Sequence, residues 1–76
     1  MKEFVEYMAR GLVSDTTAVS VNEVRGDGAT ILELSVAEHD LGKVIGKKGR
    51  TAKALRSIIQ ASAAKTRQRV ILEILD

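Results

Sequence analysis

Apolar and polar residues alternate along this chain with two different periods, and the switches between them outline the elements. Residues 2 to 13 place Phe4, Val5, Met8 and Leu12 at helical spacing, with Glu3, Glu6 and Arg10 elsewhere on the wheel, which predicts an amphipathic helix. Gly11 weakens its last turn, and Ser14-Asp15-Thr16-Thr17 reads as the exit loop. From Ala18 to Arg25 the pattern becomes that of a strand, with Val19, Val21 and Val24 as the inward candidates. Their spacing is not strictly alternate, which leaves room for a bulge near Asn22-Glu23. Gly26-Asp27-Gly28 is a tight-turn signal. In the next strand Leu32, Leu34 and Val36 point one way and Ile31, Glu33 and Ser35 the other. Glu38-His39-Asp40 ends it, and Asp40 is placed to cap a short helix from Leu41 to Ile45. After Gly46 to Gly49 a longer helix runs from Arg50 to about Thr66, and Arg69 to Leu75 closes as a strand with Val70, Leu72 and Ile74 on one face.

The order is therefore helix-strand-strand-helix-helix-strand. Two helices between the second and third strands form a crossover, which lays those strands parallel. The glycine hairpin makes the first two antiparallel. The expected fold is an α+β two-layer sandwich: a three-stranded mixed sheet covered on one face by three helices. Seventy-six residues give room for one small domain, spanning 1–76, with little stability to spare. No run of about 18 apolar residues predicts a membrane span. The absence of cysteine excludes disulfides and thiolate metal sites and fits a reducing cytosol.

The net charge of +2 says little, but its distribution says more. Lys43, Lys47, Lys48, Arg50, Lys53 and Arg56 follow one another with no acidic residue between them, an electrostatic footprint for phosphate. A solvated helix face is the competing reading. Inside this stretch lies Gly42-Lys43-Val44-Ile45-Gly46-Lys47-Lys48-Gly49-Arg50. Two glycines three apart between two helices allow a tight turn whose backbone can approach another closely. Lys47 and Lys48 project from it, and the following helix offers its N-terminal N–H groups to whatever the turn holds. A nucleotide-binding P-loop is excluded, because only three residues separate Gly42 from Gly46 and no Ser or Thr follows a Gly-Lys pair at the required place. No catalytic set is present. His39 is the only histidine, and Ser57 and Ser62 have no identifiable base. Nothing in the sequence calls for a metal, a cofactor or a small-molecule substrate. Phe4 and Tyr7 are the only aromatics, which argues against base stacking on an aromatic platform.

Val44-Ile45-Gly46-Lys47-Lys48-Gly49-Arg50 resembles the V-I-G-x-x-G signature of KH (K-homology) domains. The element order resembles their type II arrangement, and chain length and the Gly42–Arg56 run resemble the small bacterial KhpA family. The resemblance implies a cytoplasmic protein that binds single-stranded RNA as a chaperone or post-transcriptional regulator. It implies that Gly46, Lys47, Lys48 and Gly49 clamp the backbone of about four nucleotides. Lys43, Val44 and Ile45 would line a groove for bases, Leu32 or Leu34 would support it, and Arg50 and Lys53 would add charge toward phosphate. One of Val44 and Ile45 is expected in the core, since adjacent helical positions point about 100° apart. Many KH domains carry a larger aliphatic residue where Ala52 stands. The alternative function is a KH-fold protein-interaction module with little RNA affinity. On the long helix Ala52, Leu55 and Ile59 form a stripe suited to the sheet, and Ala54, Ile58 and Ala61 a second one beside it. The second stripe is the candidate interface for a homodimer, or for a heterodimer with a larger KH-containing protein, which the resemblance also implies. Packing of Ile58 beneath the first helix is the competing reading.

Overall fold

Val5 and Ala9, four residues apart, are the positions that seat the first helix, α1 (Lys2–Leu12), in the core. This is a computed structural model, and it describes all 76 residues. Phe4 and Leu12, expected on the inward face, remain over a third exposed, while Met8 packs partly against the core. The apolar arc of α1 is thus wider than the surface that covers it. A short 3-10 turn, Thr16–Ala18, then delivers Val19 into the core just before β1 (Ser20–Gly26).

β1 pairs antiparallel with β2 (Ala29–Ser35) from Ser20↔Ser35 to Gly26↔Ala29 without interruption. The bulge considered near Asn22-Glu23 is absent. Side chains alternate along a regular strand, so Val24, three positions from buried Val21, faces the other side of the sheet. There it lies in register with Ile31 and Ile71. The turn between the strands places both Asp27 (φ 40°) and Gly28 (φ 77°) in the left-handed region, the geometry that matches strand twist in a two-residue hairpin.

β2 is the central strand and pairs parallel with β3 (Arg69–Ile74). α2 (Leu41–Ile45) and α3 (Arg50–Lys65) intervene, so the expected element order and mixed sheet are both present. Leu32, Leu34, Val70 and Leu72 form the inner face of the sheet. Ala52, Leu55, Ile59 and Ala63 come down on it from α3, extending the expected inward stripe by one turn. Burying a leucine or isoleucine here contributes roughly 1.5–3 kcal/mol, so this stripe is the main attachment of α3. Two exposed residues of α3 also reach the free edge of β3. Arg56 Nε donates to the Leu72 carbonyl (3.3 Å) and Gln60 Nε2 to that of Val70 (3.1 Å). Such capping blunts an edge that otherwise invites strand addition. No helix is long and apolar enough to cross a membrane.

Candidate nucleic-acid interface

The loop at Gly46 begins where α2 runs out. Gly46 N–H donates to the Gly42 carbonyl (2.8 Å), closing the last helical turn, and its own backbone then leaves at φ 78°, ψ 170°. That region is essentially restricted to glycine. Space imposes the same restriction, because a Cβ on Gly46 would fall 2.6 Å from Thr51 Cβ and 2.8 Å from Thr51 N. The chain then turns through Lys48 (φ 58°) and Gly49 (φ 73°), with Gly49 N–H donating back to the Gly46 carbonyl (3.1 Å). Lys48 is a non-glycine residue in the left-handed region, which costs roughly 1–2 kcal/mol. The turn pushes Lys47 and Lys48 into solvent, and neither forms an ion pair.

α3 starts immediately after the turn, and no side chain caps it. Its first N–H groups and the positive end of its dipole are therefore available to an anion beside the loop. Arg50 and Lys53 are exposed and unpaired on its first turns, and no acidic residue occurs between Leu41 and Lys65. Glycine-only backbone, two free lysines and an open helix terminus thus converge on one small patch, an arrangement suited to phosphate oxygens. Arg56 belongs to the same charge cluster in the sequence, but it is turned to the edge of β3.

The three residues expected to line a groove fare differently. Val44 is wholly buried and Ile45 is 39% exposed, so the pair divides between core and surface. Leu32 and Leu34 lie fully buried in the core. Ala52 is buried too, so the small residue there occupies a packed position. Lys43 points toward the α1–β1 connection, where its Nζ donates to Ser14 Oγ and lies 3.3 Å from Asp40 Oδ1. Its charge is partnered within the fold. The surface has two concavities, and Lys43, Val44 and Ile45 line neither. One, of about 660 Å³, lies beside the start of α2 between Val36, Leu41 and Leu75, with Glu38 and Asp76 at its margin. The other, about 690 Å³, runs between α1 and α3 past Tyr7, Met8, Leu12, Leu55 and Ile58. Ile58 is 44% exposed there, so it is not packed beneath α1, and Ala54 and Ala61 are exposed on the same helix.

Asp40 corrects the sequence reading. It occupies the residue before α2, yet its side chain makes no cap bond to that helix. The carboxylate is 0% exposed and turns to the α1–β1 connection, accepting the Ser14 N–H (3.1 Å) and the Asp15 N–H (3.0 Å). Those backbone bonds, that of Asp15 foremost, with Lys43 and His39 nearby, outweigh burial and hold its pKa below the usual carboxylate range. No buried side-chain polar atom in the chain lacks a partner. The sequence signal for this network was Asp40 and Lys43 one helical turn apart; Ser14 carried none.

Comparison with known proteins identifies a family. The family described as KhpA/KhpB, KH domain, matches residues 2–74. A protein of Clostridium perfringens named RNA-binding protein KhpA is 51% identical over 75 residues, covering 99% of this chain and all of that one. Proteins of the same name from Halalkalibacterium halodurans (52% identical, both chains covered in full) and Borreliella burgdorferi (47%, covering 97% of this chain and 90% of that one) are similarly close. No solved structure matches. The relatives' shared name is that of a binding protein and not of an enzyme. With the matched region spanning the fold from α1 to the end of β3, and the glycine turn in its place between α2 and α3, the chain belongs to the KhpA/KhpB family of KH domains.

Proposed function

We propose that this chain acts as a single KH domain that binds single-stranded RNA, with Gly46-Lys47-Lys48-Gly49 clamping the backbone of about four nucleotides. The observation that carries the reading is the pair of exposed, unpaired lysines on a glycine-restricted turn, directly ahead of an uncapped helix N-terminus. Arg50 and Lys53 add charge along the strand's path, and Ile45 is the exposed apolar residue nearest the clamp for a base to rest on. The names of the relatives point the same way. A cytoplasmic role as RNA chaperone or post-transcriptional regulator accords with that resemblance.

A specific observation favours a second property. The α1–α3 groove exposes Tyr7 (77%) and Ile58 beside Ala54 and Ala61, small residues that let another helix approach. We read this face as the site of pairing with another KH domain, of a second copy or of a larger protein. Two clamps on one particle would raise avidity for longer RNA.

Lys47→Asp combined with Lys48→Asp tests the clamp. The expected result is loss of binding in a titration of labelled single-stranded RNA, with an unchanged circular dichroism spectrum, because both side chains lie outside the core. Wild-type affinity in the folded double variant would remove the clamp assignment.

A further inference from the structure

Helix α2 carries the clamp and has only five residues, too few to hold its own direction in water. Besides its packing against α3, two attachments fix it. On the inner side Val44 is wholly buried. At the other attachment Asp40 grips the backbone of Ser14 and Asp15, and Lys43, one turn along, returns to the same carboxylate and to the Ser14 hydroxyl. His39 Nε2 lies 3.5 Å from the second carboxylate oxygen. Without Asp40, α2 would keep the buried Val44 and its packing against α3 but lose its polar tie to the α1–β1 connection. At 1.5 Å per residue, five residues carry a small rotation at Asp40 into a displacement of the turn at Gly46. A carboxylate is an expensive group to bury unless every lone pair is used, and here four separate groups address it.

We propose that Asp40 is a positioning residue for the clamp: it orients α2, and with it Gly46–Gly49, against the Ser14-Asp15 backbone. The proposal rests on the clamp reading above. Asp40 does not touch the RNA, and Lys43 serves the fold before it serves phosphate.

Simple electrostatics gives the opposite expectation, which makes the idea testable. Asp40→Asn removes a negative charge close to the basic patch and releases Lys43, so charge alone predicts tighter RNA binding. Positioning predicts weaker binding, by roughly three- to thirtyfold, with the variant still folded. It also predicts greater amide mobility at Lys47–Gly49 by ¹⁵N relaxation, which a change confined to global stability would not produce. Unchanged or tighter binding by folded Asp40→Asn overturns the proposal. Should that variant fail to fold, Ser14→Pro decides the matter. It deletes one of the two N–H donors together with the hydroxyl that Lys43 reaches, without altering any charge, and Val13, extended at ψ 161°, accommodates a following proline. Wild-type affinity in folded Ser14→Pro overturns the proposal equally. The two readings separate cleanly. If Lys47→Asp with Lys48→Asp binds RNA normally, the clamp is wrong; if that variant loses binding while Asp40→Asn does not, only the positioning role is.

Discussion

The backbone passes through the left-handed region on consecutive residues twice, at Asp27-Gly28 and at Lys48-Gly49. The local demands are alike, and so is the solution of one polar residue followed by glycine. Their surroundings differ. The first turn joins two antiparallel strands, carries a negative charge and has open space around both Gly26 and Gly28. The second is preceded by a glycine pressed against Thr51, carries two lysines and opens onto a helix terminus. Glycine and turn geometry therefore do not make an anion site. The difference lies in the helix terminus behind the turn and in the charges the turn projects.

Glycine substitutions give the largest separation between the two turns. Gly46→Ala combines a disallowed backbone with a clash, so about 2–4 kcal/mol of stability and at least tenfold in RNA affinity (~1.4 kcal/mol) are expected to be lost. Gly28→Ala and Gly49→Ala meet no neighbour and are expected to cost about 1–2 kcal/mol each in urea unfolding. Of these two, only Gly49→Ala should weaken RNA binding. If Gly28→Ala weakened it as much, the contrast would collapse.

Next in size is Ile58→Asp, which tests whether the α1–α3 face is separate from the clamp. Ile58 is half-exposed, so the variant is expected to stay folded by circular dichroism and to sediment as a monomer. Affinity for short RNA should be unchanged while that for longer RNA falls. An unfolded variant would return Ile58 to the core, and an unaltered dimer would move the interface elsewhere.

A smaller effect concerns pH. The folded-state pKa of Asp40 is depressed by the Asp15 and Ser14 N–H groups, with Lys43 and His39 contributing. Its stabilisation is therefore complete above the ordinary carboxylate pKa and is lost as pH falls through the lower folded value. Unfolding of wild type and Asp40→Asn, compared from roughly pH 5 down to pH 2, should show a steeper acid loss in wild type. Parallel acid profiles would contradict the assignment of that depression to the network.

Much of this was legible in the sequence because it is local. The order of elements came from the change of hydrophobic period, and Leu32, Leu34, Val70 and Leu72 lie on the expected face because strand alternation leaves them no other. The turn between α2 and α3 was legible because Gly46 and Gly49 advertise backbone conformations that other residues rarely take. What misled were positions decided by distant partners. Phe4 and Leu12 fit an inward helical stripe with Val5 and Met8, but of these only Val5 is fully buried, and Ala9, which was not singled out, joins it in the core. Val24 looked inward until the unbroken register turned it out. Lys43 reads in sequence as part of the basic footprint and the lining of a groove, yet its ammonium is partnered by the hydroxyl of Ser14, 29 residues earlier, and by a carboxylate that seemed destined for a cap.

The central claim is that this fold grips a nucleic-acid backbone at one small turn, and the salt dependence of binding tests it most directly. A clamp on about four nucleotides neutralises about three or four phosphates, so log K against log salt for a single-stranded RNA should fall with a slope of roughly −2 to −3. A slope near zero, or duplex DNA bound at least as tightly as single strands, would contradict it.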